Sequence, residues 1–337
     1  MKCLRSLIVF VLLPFMVVSA YGQRDLVQQL IEQGVAKHDS GKYQQAISLY
    51  LKALQLNPES GVANYEVSYS YLMLGDYPNA AKYSRQAIKI DDDSQLSAYI
   101  AYGSALDMMG KTRKSINVYE KAMKKYDYYL LYYNHAVSCL VGGKLNKAYA
   151  SAIKAIEDNP SHGSSHLILS KIMASKGERV KAMLPLYFFL LLEPDTPRAV
   201  TAYKNLRKYM DEGVSDEMGK KVVVSVPIAG HADFFGAEML LSLAKTEQTQ
   251  EKHEDETELQ HFAEINEQLF KGLGELKRGQ SGFWWDFYVS FFSEMANNGL
   301  CEAYSYYVSQ SQGKEATEWF DWHNDDFERF KIWVSVK

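Results

Sequence analysis

The feature that limits the fold most strongly is a pattern of small residues that returns about every 34 residues between Val27 and Thr196. The glycines of this pattern are Gly41, Gly75, Gly110, Gly143 and Gly177. Five residues after each glycine stands another small residue, in turn Ala46, Ala80, Ser115, Ala148 and Ala182. A repeat of this length predicts one hairpin of two helices per unit, with the glycine in the turn between them.

Each predicted hairpin also has small residues inside its first helix and a helix-ending residue at its close. Seven residues before the turn glycines stand Gly34, Ser68, Gly103, Ala136 and Ser170. The units close at Pro58, Asp92, Asp127, Pro160 and Pro194, and proline cannot donate a hydrogen bond within a helix. Because small residues let two helices approach closely, and each hairpin keeps one apolar side, we expect neighbouring hairpins to stack into a solenoid.

These units resemble tetratricopeptide repeats. The fullest match to the family pattern is Gly34, Gly41, Tyr43, Ala46, Tyr50, Ala53 and Pro58. Residues 23–196 are predicted to form five repeats, at 27–60, 61–94, 96–128, 129–162 and 163–196. The last repeat departs from the pattern, since Phe189 stands where alanine is expected, so we expect this repeat to pack against something other than another repeat. The resemblance implies a predominantly all-α protein, a right-handed α-solenoid that binds a protein or peptide as a scaffold.

The resemblance also implies that the first helix of each repeat lines a concave groove. Counting positions two, five, nine and twelve of each repeat brings His38 and Asp107 to this groove, but most of the set is apolar or aromatic. The predicted partner-binding residues are Ile31, Val35, Tyr65, Tyr69, Leu72, Ile100, Tyr133, Val137, Leu167 and Lys171. Since Lys171 is the one basic residue among them, we expect an extended peptide or a partner helix and not a clamp for a terminal carboxylate. Alternatively, some of these apolar residues contact the neighbouring repeat or the C-terminal domain.

The first 22 residues have the pattern of a secretory signal peptide. Lys2 and Arg5 precede an apolar run from Leu7 to Val18, and small residues then place the predicted cut after Gly22. The run is short for a membrane span, which takes about 20 residues, so an uncleaved anchor is the less favoured alternative and no membrane span is expected after cleavage. We expect a periplasmic or secreted protein of bacterial type. With 37 basic and 41 acidic residues, the chain lacks the basic balance typical of nucleic-acid binding.

After the repeats, the sequence predicts a capping helix at 197–212, a linker at 213–219 and a mainly helical C-terminal domain at 220–337. A β-branched run from Lys221 to Ile228 predicts at least one strand there. Helical spacing is clear at 238–245 and 261–276, with a polar loop or helix start between Thr246 and Glu258. The aromatic run 283–292 predicts a helix buried on most sides, packed on Phe188 and Phe189. The alternative for this run is a sugar-stacking platform or an exposed docking surface.

The sequence offers little support for catalysis, and no cofactor or metal site is predicted. His231 and Asp233 follow the predicted strand, but two such residues form no recognised metal framework. Cys301 lacks the local signature of a nucleophile. Cys139 and Cys301 are expected to be buried thiols. We therefore predict a protein that is not an enzyme, with a C-terminal glycan-binding module or enzyme as the alternative.

Overall fold

The computed structural model describes residues 23–212, 214–217, 221–224, 234–250 and 257–337. The predicted signal peptide, residues 225–228 of the predicted strand and the pair His231 and Asp233 lie outside these ranges. The chain divides into two compact units, of which the first ends at Gly143 and the second begins at Lys144. This division falls inside the fourth repeat, whereas the sequence analysis places the domain boundary at 213–219.

The first unit consists of helical hairpins, as the repeat predicts. Helix α1 covers residues 23–39. It is followed by α2 (Tyr43–Leu56), α3 (Gly61–Met73), α4 (Tyr77–Ala87), α5 (Gln95–Met108), α6 (Thr112–Ala122) and α7 (Tyr129–Val141). Side chains cap two of these helices, because Ser60 accepts a hydrogen bond from the amide of Ala63 and Asp76 accepts one from that of Asn79.

The turn glycines of the repeat adopt the backbone conformation that explains their spacing. All five have φ between 70° and 77°, a left-handed region in which other residues are strained. A second set of small residues permits close helix packing inside the hairpins. A Cβ atom on Gly34 would lie 2.3 Å from the ring of Tyr50, and one on Gly103 would lie 2.2 Å from that of Tyr119. The predicted roles of both sets of small residues are confirmed at these positions.

The core of the first unit is made of alanines around fully buried tyrosines. Tyr50 lies with Ala46 and Ala53 of its own helix against Val27 and Val67 of the neighbouring helices. From residue 23 to the end of this unit, every aromatic residue other than histidine is a tyrosine. A buried ring can thus keep a hydrogen-bonding group at its edge.

The second unit contains three further helices of the repeat region, a capping helix and the C-terminal helices. The repeat region supplies α8 (Leu145–Asp158), α9 (Gly163–Ser175) and α10 (Arg179–Leu192). The predicted cap is α11 (Pro197–Asp211). The side chain of Thr196 caps its start by accepting a hydrogen bond from the amide of Ala199. The helices that follow are α12 (Phe235–Gln250), α13 (Glu258–Leu276), a π-helix (Trp284–Val289), α14 (Ser290–Asn297), α15 (Cys301–Val308), a 3₁₀ turn (Gln310–Gln312), α16 (Lys314–Trp322) and α17 (Asn324–Ser335).

A short antiparallel sheet lies between α11 and α12. Strand β1 (Val214–Glu217) pairs with β2 (Lys221–Val224), with Val214 opposite Val224. The strand β2 lies in the run where the sequence predicts one, but β1 occupies part of the predicted linker at 213–219. In the polar stretch 246–258, predicted as a loop or a helix start, α12 continues through Gln250 and α13 begins at Glu258.

Helix α10 is the centre of the second unit, and most of its side chains are buried. The ring centroids of Tyr187 and Phe270 are 5.1 Å apart, and the Tyr187 hydroxyl donates a 2.5 Å hydrogen bond to the Asn266 side chain. Phe188 packs on the aromatic run, with its ring centroid 5.1 Å from that of Phe287 and 5.2 Å from that of Phe291. The predicted packing against Phe188 is therefore confirmed.

The aromatic run is helical, but its first half is a π-helix and not the α-helix that its spacing predicts. Trp284, Trp285, Tyr288 and Phe292 are buried, so these rings are unavailable to stack on a sugar. The predicted contact with Phe189 is absent from the ring pairs of the described residues. The Arg198 guanidinium instead lies 5.3 Å from the Phe189 ring centroid.

Buried polar contacts bind the C-terminal helices of this unit to α9 and α10. The carboxylate of Glu238 accepts hydrogen bonds from Arg179 Nε at 2.8 Å and from the Val180 amide at 2.7 Å. His166 shares a 2.6 Å hydrogen bond between its Nδ1 and the Tyr288 hydroxyl, and its Nε2 lies 2.8 Å from the Pro160 carbonyl oxygen. Because burial costs the imidazolium its hydration, the pKa of His166 is lowered to about 4.

Candidate functional site

The first helices of the repeats in the first unit form one surface, which we call the odd-helix face. It consists of the half-buried and exposed side chains of α1, α3, α5 and α7. Helix α3 packs on α5, and α5 packs on α7, while His38 of α1 reaches Ser70 of α3 through a 2.8 Å hydrogen bond at its Nδ1. Successive first helices therefore lie side by side and present their outer side chains together.

A row of stacked rings crosses α1 and α3 on this face. The ring centroids of Tyr65 and Tyr69 are 6.1 Å apart with an interplanar angle of 9°, and those of Tyr69 and His38 are 4.7 Å apart at 19°. Tyr69 is 40% exposed. Burial lowers the pKa of His38, which favours its neutral form. The row offers a partner an aromatic surface that is already ordered by its own stacking.

The carboxylate of Glu66 lies beside this row in a half-buried position. The Tyr50 hydroxyl donates a hydrogen bond of 3.5 Å to it. Burial raises the pKa of Glu66, and the nearby charge of Asp39 raises it further, against the opposing effect of the Tyr50 hydrogen bond. Burial is also the main reason that the pKa of Tyr65 is raised to about 12, with the charge of Glu66 as the next cause.

A second carboxylate, that of Asp107, lies where α5, α6 and α7 meet. Its Oδ2 accepts hydrogen bonds from Ser115, at 2.8 Å, and from Ser138. Its Oδ1 is buried and has no hydrogen-bond partner among the described residues. Burial raises the pKa of Asp107 despite the two serine hydrogen bonds. Burial also raises the pKa of Tyr119, and the charges of Asp107 and Tyr133 raise it further, which places Tyr133 in the same neighbourhood.

The two sides of the hairpins differ in charge. Helices α3, α5 and α7 contain no lysine or arginine, and Glu66 and Asp107 are their acidic residues. The second helices, α2, α4 and α6, carry Lys52, Lys82, Arg85, Arg113, Lys114 and Lys121. Helix α1 adds Arg24 and Lys37 as well as Asp25, Glu32 and Asp39, so the four first helices carry five acidic and two basic residues. The odd-helix face is therefore aromatic and mildly acidic, whereas the second helices are mainly basic.

The predicted groove residues are only partly on this face. Ile31 was wrongly assigned to it, because its side chain is buried with Ala63 and Val67 in the core. Tyr69 is exposed, and the half-buried members are Val35, Tyr65, Leu72, Ile100, Tyr133 and Val137. Leu167 and Lys171 belong to the second unit. The structure also places Glu66 at this face, although its repeat position was not among the four counted. His38 and Asp107 were counted but were left out of the predicted partner-binding residues, most of which are apolar or aromatic.

The candidates for other chemistry find little support in the part of the chain that the structure describes. Burial raises the pKa of Cys301 to about 12, which keeps the thiol protonated and unsuited to nucleophilic attack. Within the described ranges, no three His, Cys, Asp or Glu side chains are grouped as metal ligands would be. The same ranges contain no helix with the length and apolar character needed to cross a bilayer.

Residues 31–95 match a family model described as a tetratricopeptide repeat. Residues 31–95 therefore belong to the tetratricopeptide-repeat family. The match covers the hairpins from α1 to α4, whose turn glycines and Gly34–Tyr50 contact are described above. Comparison with curated proteins gives no match for this chain.

Several solved structures are similar to about half of this chain. A thermophilic tetratricopeptide-repeat protein of Thermus thermophilus is 19% identical, with a TM-score of 0.45 over 55% of this chain and 98% of its own. PilF of Pseudomonas aeruginosa is 17% identical, with a TM-score of 0.49 over 56% and 90%. PilW, described as a type IV pilus biogenesis factor, is 18% identical, with a TM-score of 0.46 over 56% and 91%.

Proposed function

We propose that this tetratricopeptide-repeat protein is a non-catalytic scaffold that binds a protein or peptide partner through the odd-helix face of its first unit. The observation that carries the proposal is the row of stacked rings formed by His38, Tyr69 and Tyr65. Tyrosines that are partly exposed and already ordered provide contact area at a small cost in conformational entropy, and they are enriched among residues that dominate binding energy.

The apolar side chains beside this row support the same proposal. Leu72, Ile100 and Val137 are half-buried on the same set of helices, so they would become fully buried under an extended peptide or a partner helix. Burying apolar area contributes roughly 25 cal/mol per Å² before the costs of association are subtracted. The face thus combines aromatic anchors with an apolar surround, as expected of a peptide-binding groove.

The experiment compares affinity capture from a bacterial envelope extract by the protein starting at Gln23 and by two double variants. Tyr65→Ala with Tyr69→Ala removes the row from α3. The matched control, Tyr71→Ala with Tyr83→Ala, removes the same two rings from the stacked pair between α3 and α4, whose centroids are 5.8 Å apart. We expect specific proteins to be lost from the first variant and retained by the control.

Thermal unfolding of each variant shows whether a loss of binding reflects a loss of fold. Because Tyr71 and Tyr83 pack against the core of the first unit and Tyr69 is exposed, the control variant should be the less stable of the two. Equal capture by the wild type and by the Tyr65 and Tyr69 variant, both folded, would place the binding surface elsewhere.

We also propose that the protein acts in the bacterial cell envelope after removal of residues 1–22. The support for this is the charged and apolar pattern of those residues and the small residues before Gln23. Mass spectrometry of the chain purified from the envelope fraction should give an N-terminus at Gln23. A chain that begins at Met1 and stays with the cytoplasmic fraction would contradict this location.

A further inference from the structure

We propose that the segment bound by the odd-helix face is a basic peptide segment, that Glu66 receives one of its lysine or arginine side chains, and that the charge of Asp107 attracts it without contact. This inference rests on the proposed function, because it specifies the chemistry of the partner bound at the same face. It derives from the two carboxylates of the face and from the distribution of charge around them.

Glu66 is a half-buried carboxylate that lacks a cation. Among the described residues, no lysine or arginine lies within ion-pair distance of it. The Tyr50 hydroxyl donates a 3.5 Å hydrogen bond to this carboxylate, and the negative charge of Asp39 repels it. A carboxylate held away from water without an opposite charge is costly. A cationic side chain from a partner would supply that charge.

Asp107 shows the same deficit with a different geometry. Ser115 and Ser138 both donate to Oδ2, whereas Oδ1 is buried and receives no hydrogen bond from the described residues. No lysine or arginine of these residues forms an ion pair with this carboxylate either. Because Oδ1 is buried, a side chain of the partner cannot reach it. The uncompensated charge of Asp107 would still attract a cation that lies on the odd-helix face.

The surroundings favour a basic partner over an acidic one. The cations of this face, Arg24 and Lys37, are both on α1, and helices α3, α5 and α7 carry none. An acidic peptide across these three helices would therefore meet Glu66 and Asp107 with no cation beside them. Like-charge contacts of this kind are costly and select against the wrong partner. Positive charge is instead found on α2, α4 and α6, which would direct a basic segment toward the odd-helix face.

The row of stacked rings favours a basic segment because the rings can contact the methylene groups of lysine and arginine and can also attract their charge. Lysine and arginine pack their methylene groups along aromatic surface while the charged end reaches a polar partner. The rings of Tyr65 and Tyr69 lie nearly parallel, and Glu66 is the neighbour of Tyr65 in the chain. A cation over these rings would also gain from the electrostatic attraction of the ring face.

The test is selection of a random-peptide library on the protein that starts at Gln23, followed by affinity measurements with the selected peptides. The variants Glu66→Gln and Asp107→Asn remove each charge while they keep a polar group of similar shape. Glu59→Gln is the control, since Glu59 is an exposed residue between α2 and α3 and its replacement changes the net charge equally.

We expect lysine and arginine to be enriched in the selected peptides. Glu66→Gln should weaken binding by about tenfold, as for the loss of a charged hydrogen bond, and Asp107→Asn should weaken it less, because its charge acts without contact. Glu59→Gln should bind like the wild type. Peptides that depend on Tyr65 and Tyr69 but show no enrichment of basic residues would refute this inference and leave the proposed function intact. If no selected peptide depends on Tyr65 and Tyr69, the proposed function fails with it.

Discussion

Replacing Gly110 with alanine should destabilise the protein, although the new methyl group would meet no neighbour. Gly110 lies in the turn between α5 and α6 with φ of 71°, and an added Cβ would have nothing within 4 Å. The left-handed conformation costs an L-residue roughly 1–2 kcal/mol. Alanine also restricts the unfolded chain more than glycine does, which offsets up to about 1 kcal/mol of that cost. The expected loss in the free energy of unfolding is therefore about 1 kcal/mol.

Gly110→Asn is the matched variant that separates conformation from size. Asparagine is larger than alanine, yet it adopts the left-handed region more readily because its side chain hydrogen-bonds locally. The stability should therefore fall in the order glycine, asparagine, alanine. Urea unfolding followed by far-UV circular dichroism measures the order through the midpoint and the slope of the transition. An asparagine variant less stable than the alanine variant, or an alanine variant equal to the wild type, would refute the conformational argument.

Three further predictions follow from close or buried contacts. Gly103→Ala should lower the free energy of unfolding by about 1–3 kcal/mol, because its Cβ would lie 2.2 Å from the buried ring of Tyr119; a thermal midpoint equal to that of the wild type would contradict this. The pKa of His166 is lowered to about 4 in the fold, so the unfolded chain binds more protons between pH 4 and about 6.5, and stability should fall by up to about 3 kcal/mol as the pH drops through that window. Urea titrations at several pH values should show a smaller pH slope in His166→Gln, and an unchanged slope would assign the effect to other groups. Because burial raises the pKa of Cys301 to about 12, its thiol should react with a maleimide only on unfolding, and peptide-level mass spectrometry that found rapid labelling of the native protein would show that the thiol is accessible.

The repeats could be predicted from the sequence because each depends on a strict local requirement. The turn glycines need a positive φ, and Gly34 and Gly103 need the absence of a side chain beside a buried ring. Both requirements are visible in the sequence as small residues at regular intervals. The aromatic run was predicted as buried because its rings occur at helical spacing on most sides of the helix. Its π-helical start, Trp284–Val289, could not be predicted. Ring spacing at every fourth residue is compatible with both kinds of helix.

The candidate site was harder to predict than the fold. Repeat position assigned Ile31 to the groove, but this residue lies in the core with Ala63, because its side chain turns toward α3. Glu66 was missed because only four positions of each repeat were counted, and those positions were weighed by their apolar character. The absence of lysine and arginine from α3, α5 and α7 is visible in the sequence and could have drawn attention to its carboxylates.

The division of aromatic residues between the two units gives the second unit an optical label of its own. The first unit has tyrosine alone from residue 23 onward, whereas all five tryptophans, among them Trp284 and Trp285, belong to the second unit. Tryptophan absorbs at longer wavelength than tyrosine, so fluorescence excited at that edge monitors the second unit only, while far-ultraviolet ellipticity monitors the helices of both. A urea titration of the unlabelled chain recorded with both signals would therefore reveal whether the units melt in one step or in two.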